Sequence, residues 1–153
     1  MNTELLAQLR RDLERYPRMH GYYLLNTTQL PVDWQSDEER SLTAACESLD
    51  DHPWKLPEIL AQDQLWTDYE VCEAEACEHV VAALVGGNEI GHSRDTIPQE
   101  VAVSIWERFR KLFSPQARFF VRLSLGNQEY VFQRGAVVVD EVTAGCLWVV
   151  ESD

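Results

Sequence analysis

The strongest constraint on this chain is the hydrophobic pattern of its last third. Residues 119–125 alternate apolar and polar side chains, as a half-buried strand does. Gly126 and Asn127 follow as a typical hairpin turn, and residues 130–132 return from it. Residues 136–139 are apolar without a break, which predicts a central strand covered on both faces.

The same pattern predicts where these strands turn. We expect one turn at Arg134 and Gly135, because glycine permits tight backbone turns. A second turn is expected at residues 143–145, ahead of a last strand over residues 146–150. The result is an antiparallel β-meander of about four strands, whose buried face needs cover from helices.

A helix over residues 97–113 is the element that the sequence predicts most strongly. Its apolar stripe consists of Val101, Ile105, Trp106, Phe109, Leu112 and Phe113. Thr96 lies three residues before Gln99, which is the spacing of a capping box, and Pro98 would then occupy the first turn.

A first helix is predicted for residues 3–16, and Pro17 ends it. Its stripe consists of Leu5, Leu6, Leu9, Leu13 and Tyr16. Residues 20–26 are short, aromatic and apolar, which predicts a strand.

Length and composition favour a single globular domain over residues 1–153. A chain of 153 residues with 45% hydrophobic side chains can bury its own core without disulfides or a structural metal. The predicted class is therefore α+β, with N-terminal and central helices packed on a C-terminal antiparallel meander.

The middle of the chain carries further predicted elements. Ser36 opens a capping box and a helix that runs to about Leu49. Residues 57–64 fit a short helix, and residues 65–71 alternate as a half-buried strand does.

The stretch VCEAEACEH at residues 71–79 resembles a ligand cluster, yet the helical wheel assigns it to an ordinary helix. At about 100° per residue, Cys77 and His79 point apart and cannot bind one metal ion together. One face holds Ala76, Cys77, Val80, Val81 and Leu84. The opposite, solvent-facing side holds Glu75, Glu78, His79 and Ala82.

Cysteine usage and the first residues favour a soluble cytoplasmic protein. The four cysteines form no compact framework, so we expect reduced thiols and neither a metal nor another cofactor. Glu4, Gln8 and Arg10 interrupt any apolar stretch that a secretory signal would need. No apolar run approaches the roughly 20 residues that span a bilayer, so no membrane association is expected.

The net charge of −13 is concentrated in the middle of the chain. Residues 21–92 carry fifteen acidic and two basic side chains, whereas residues 1–20 carry three acidic and four basic ones. Such a field repels nucleic acid and anionic lipid, and it favours a basic protein partner. A role for this acidity in solubility is the alternative.

Three of the five tryptophans have no obvious core position: Trp34, Trp54 and Trp66 lie in loops or on a polar strand face. Aromatic side chains among carboxylates are typical of interface anchors, although they also cover the edges of cores. Arg118 and Arg122 either form an outer sheet face or pair with the acidic region.

The first functional hypothesis is a non-enzymatic acidic module that holds a basic protein through residues 33–78, as an inhibitor, immunity protein, adaptor or nucleic-acid mimic does. The expected contact residues are Asp33, Trp34, Asp37, Glu38, Asp50, Asp51, Trp54, Trp66, Asp68, Glu70, Glu75 and Glu78.

The second hypothesis is a small-ligand domain or enzyme with a pocket between the sheet and the helices. The polar, glycine-rich loop at residues 86–95 would line it, and Glu89, His92 and Asp95 could supply acid and base groups. Neither a nucleophile motif nor a phosphate-binding fingerprint accompanies this loop.

Overall fold

The computed structural model describes residues 3–18, 21–30, 70–86, 97–121 and 132–151. Within these ranges the chain forms three helices and five strands. In chain order they are α1 (Thr3–Glu14), β1 (Gly21–Gln29), β2 (Glu70–Val71), α2 (Glu73–Gly86), α3 (Gln99–Arg110), β3 (Arg118–Phe120), β4 (Phe132–Val139) and β5 (Thr143–Glu151).

The strands form an antiparallel sheet in the order β1-β5-β4-β3-β2. The meander of β3, β4 and β5 lies at the centre, while β1 and β2 add to its two sides. Leu147 of β5 lies between Leu25 of β1 and Ala136 of β4. The predicted α+β class, with helices packed on a C-terminal antiparallel sheet, is confirmed.

One face of the sheet packs against the helices. Because side chains alternate along a strand, Leu147 and Val149 of β5 share this face with Val138 of β4. They belong to the same buried cluster as Leu9 of α1 and Ile105 of α3.

The second face of the sheet is buried too. Its fully or almost fully buried side chains are Leu24, Phe120, Val137, Cys146 and Trp148. The prediction of a central strand covered on both faces is confirmed, since residues 136–138 have no exposed surface.

Aromatic side chains join α3 to the sheet. The ring of Trp106 lies 6.0 Å from those of Phe109 and Phe119, measured between centroids. Phe109 also meets Phe113 edge-on at 5.3 Å. Such tilted arrangements suit the quadrupoles of the rings and fix how α3 lies on β3.

The start of α3 differs from the predicted capping box. Pro98 is the N-cap and makes no side-chain cap. Its carbonyl oxygen accepts hydrogen bonds from the amides of Val101 at 3.0 Å and Ala102 at 2.9 Å. The helix thus begins one residue after the proline, and the expectation that Pro98 lies inside the first turn was wrong.

Two glycines that were predicted to mark turns lie inside strands. A Cβ atom on Gly135 would come within 2.2 Å of the carbonyl oxygen of Leu147, and one on Gly145 within 2.8 Å of the carbonyl oxygen of Asn26. These positions need glycine because neighbouring backbone and side chains approach closely. The turns expected at Arg134 and Gly135 and at residues 143–145 were wrong.

The turn between β4 and β5 is instead organised by Asp140. Its buried carboxylate accepts hydrogen bonds from the amides of Val142 at 2.9 Å and Thr143 at 2.7 Å. Its second oxygen accepts from the amide of Ser114 at 2.8 Å, just beyond α3. Aspartate is favoured here because its short side chain satisfies nearby backbone donors.

Several predicted elements lie outside the described residues. They are the helix from Ser36 to Leu49, the helix at 57–64, the strand before Glu70, the hairpin turn at Gly126 and Asn127, and the loop at 86–95 apart from Gly86. Among the helices described, none has the length and apolar character needed to cross a membrane.

The close approach at Gly135 predicts a large cost for adding one methyl group. We expect Gly135→Ala to lower the free energy of unfolding by about 1–3 kcal/mol, because backbone atoms of β5 cannot move aside easily. Urea denaturation measures the change.

Gly86→Ala is the matched control, since none of the described atoms lies within 4 Å of an added Cβ there. Alanine at this end of α2 should change the stability by no more than about 1 kcal/mol. Equal costs for both variants would contradict the assignment of Gly135 to a crowded strand position.

Candidate functional site

The structure describes three of the residues predicted to contact a partner: Glu70, Glu75 and Glu78. The predicted contacts that lie outside the described residues are Asp33, Trp34, Asp37, Glu38, Asp50, Asp51, Trp54, Trp66 and Asp68. Glu89, His92 and Asp95 of the predicted ligand loop lie outside them as well.

Glu70 is engaged within the protein. β2 pairs with β3, and Nε of Arg118 donates to the Glu70 carboxylate at 2.7 Å while Nη2 donates to its second oxygen. The guanidinium also lies over the ring of Phe120, 5.6 Å from its centroid. The hydrogen bond and charge of Arg118 lower the pKa of Glu70 despite its partial burial. Of the two alternatives for Arg118, pairing with the acidic region is thus the one observed.

Glu73, at the start of α2, is also paired. Its carboxylate accepts a hydrogen bond from Nε of Arg110, the last residue of α3. Nη1 of Arg110 donates to the carbonyl of Ser114 at 2.9 Å, and the guanidinium lies 5.2 Å from the ring centroid of Phe119. Arg110 therefore joins the start of α2 to the end of α3.

Cys77 of α2 lies within electrostatic reach of carboxylates from two helices. Burial raises the pKa of this thiol, and the negative charges of Glu107, Glu73 and Glu78 raise it further. We call Glu73, Glu78 and Glu107 the acidic cluster. Glu78 and Glu107 are exposed. Sequence reasoning missed Glu107, which lies outside residues 33–78 and joins the others through the packing of α2 on α3.

His79 is not directed into solvent as the helical wheel predicted. It is half-buried, and its Nδ1 accepts a hydrogen bond from Nε of Arg134 at 3.2 Å. α2 packs against β4, so the face opposite its core stripe still meets the sheet. In the described part of the chain, no three His, Cys, Asp or Glu side chains are placed to hold a metal ion.

Comparison with known proteins gives no relative: no protein-family model, curated protein or solved structure matches this chain. Its function therefore has to follow from the chemistry of its own residues.

The lowered pKa of Glu70 predicts a pH-dependent contribution to stability. Ionised Glu70 stabilises the fold above its ordinary pKa, and this stabilisation is lost as the pH falls through the lowered value. Glu70→Gln should lower the free energy of unfolding by up to about 1 kcal/mol at neutral pH, since the ion pair is partly exposed. In strong acid the substitution should leave the free energy of unfolding unchanged.

Urea denaturation across this pH range measures the effect, and Glu4→Gln removes an exposed carboxylate elsewhere as control. A cost of Glu70→Gln that persists undiminished in strong acid would contradict the ion pair as its cause.

The raised pKa of Cys77 predicts slow alkylation. At mildly alkaline pH, exposed Cys72 should react with iodoacetamide faster than Cys77, because the thiolate is the reactive form. The double variant Glu78→Gln and Glu107→Gln should accelerate the alkylation of Cys77, because removing these negative charges lowers the pKa of the thiol. Peptide mass spectrometry follows each thiol separately, and an unchanged Cys77 rate would show that these carboxylates do not act on it.

Proposed function

We propose that this chain is a non-enzymatic acidic protein-binding module that engages a basic protein partner. The observation that carries the proposal is the acidic cluster, in which carboxylates of α2 and Glu107 of α3 all act on the charge of Cys77 because the two helices pack together. Inhibitors, immunity proteins, adaptors and nucleic-acid mimics are modules of this type.

The charge that remains after internal pairing supports this proposal. Glu70 and Glu73 are neutralised by arginines, whereas Glu78 and Glu107 are exposed and make no ion pair with the described residues. Unpaired carboxylates at the surface can exchange solvent for the cations of a partner at small desolvation cost.

Long-range attraction adds to these contacts. Residues 21–92 carry fifteen acidic and two basic side chains, and the whole chain has a net charge of −13. A field of this size accelerates the approach of a basic protein and repels nucleic acid, and salt screens it. The expected contact surface consists of residues 33–78 together with Glu107 of α3.

The alternative is a small-ligand domain or enzyme that uses the loop at residues 86–95. It remains a prediction, because Glu89, His92 and Asp95 lie outside the described residues.

Charge reversal on the acidic cluster tests the proposed surface. The double variant Glu78→Lys and Glu107→Lys should lose at least about tenfold in affinity for a basic protein captured from cell extract at low salt. The wild-type complex should dissociate as salt is raised.

Glu4→Lys with Glu141→Lys introduces the same change of charge at exposed positions on other elements and should retain most of the binding. Thermal melting checks that both double variants fold. If the two lose binding equally, the acidic cluster is not the contact surface, and only net charge matters.

A further inference from the structure

A cavity of about 410 Å³ opens between α1 and β1. Its volume lies within the range of small-molecule sites, roughly 300–1,000 Å³. The lining residues that matter for its chemistry are Arg10, Leu13, Glu14, Arg18, Tyr23 and Leu25. This cavity is assembled from residues 10–25, which no functional prediction from the sequence had included.

Arg18 supplies a cation that is fixed in position. The residue is 7% exposed, and its Nη2 donates to the carbonyls of Ala83 at 3.0 Å and Leu84 at 2.6 Å. Its Nε donates to the Tyr23 hydroxyl at 3.2 Å. The last turn of α2 favours a cation because its free carbonyls carry the negative end of the helix dipole.

Tyr23 connects this cation to the cavity wall. Its hydroxyl donates to the carbonyl of Tyr16 at 2.6 Å, and its ring lies under the guanidinium of Arg18 at 5.3 Å. With the side chains of Leu13 and Leu25, the ring gives the cavity a partly apolar wall. On this side a ligand would meet a ring whose hydroxyl is already anchored by hydrogen bonds.

Arg10 brings a second cation to the cavity. Its Nη2 donates to the carbonyl of Leu25 at 3.1 Å and to Oδ1 of Asn26 at 2.7 Å, which orients the guanidinium along β1. Its Nε and Nη1 have no partner among the described residues. Each of these two groups can therefore donate a charge-assisted hydrogen bond to an oxygen of a carboxylate ligand.

From these features we infer that the cavity binds a small organic monocarboxylate with an apolar body. Among the described residues that line the cavity, two arginines stand against one carboxylate, Glu14, so this part of the lining is net positive in a chain whose net charge is −13. The apolar wall accounts for the body of the ligand, and Glu14 disfavours a doubly charged anion such as a phosphate ester.

This inference is independent of the proposed acidic surface. The cavity uses α1 and β1, whereas the acidic cluster uses α2 and α3, so either can fail while the other holds.

Calorimetric titration with matched probes tests the ligand class. Phenylacetate and 4-methylpentanoate present a carboxylate on an aromatic and on a branched aliphatic body. Phenylacetamide keeps the shape of phenylacetate without its negative charge. Phenethylamine carries a positive charge instead. At least one carboxylate should bind at least about tenfold more tightly than the amide and the amine.

Variants of neighbouring residues test the site. Arg10→Gln should weaken carboxylate binding about tenfold, whereas Arg11→Gln, an exposed neighbour that does not line the cavity, should leave it unchanged. Glu14→Gln should tighten binding, because it removes a repelling charge. Arg18 is left intact since it also holds the end of α2.

Four results would overturn the inference. They are no binding of either carboxylate at about 10 mM, equal binding of the amide, equal effects of Arg10→Gln and Arg11→Gln, or weaker binding in Glu14→Gln. The last result would indicate that the carboxylate of Glu14 attracts the ligand.

Discussion

The burial of β4 and β5 on both faces is the constraint on which the described structure depends. Because residues 135–139 and 143–149 are all buried, each neighbour has to fit closely against them. Gly135 and Gly145 follow from this constraint, since any side chain there would strike the adjoining backbone. The aromatic contacts that fix α3 on β3 follow from it as well, because the helices have to fill the space above the sheet.

Around this core, arginines connect segments that are distant in sequence. Arg118 binds Glu70, Arg110 binds Glu73, and Nη1 of Arg108 lies 2.6 Å from the carboxylate of Asp12, joining α3 to α1. Arg18 holds the end of α2 in a comparable way through backbone carbonyls. Some of the acidic side chains are thus paired with arginines of the same protein. The exposed carboxylates that make no ion pair with the described residues, such as Glu78 and Glu107, define the proposed contact surface.

Local periodicity was enough to predict much of the fold. The leucine stripe gave α1, the aromatic stripe gave α3 and the run at residues 136–139 gave a strand buried on both sides. Features that depend on contacts across the sheet could not be predicted in this way. Glycine is typical of turns, yet Gly135 lies in a strand because β5 packs closely against it. The acidic cluster and the α1–β1 cavity arise from segments that meet only after folding.

The pairing of β1 with β5 has a consequence for how the protein is made. Gln29 pairs with Thr143, 114 residues later, and Gly21 pairs with Glu151, 130 residues later. Such non-local contacts are slow to form, because the entropy of closing a long loop is lost before the contacts compensate for it. During synthesis β1 leaves the ribosome long before its partner exists. Its apolar residues, Leu24 and Leu25, therefore have to be kept from aggregation until β5 arrives.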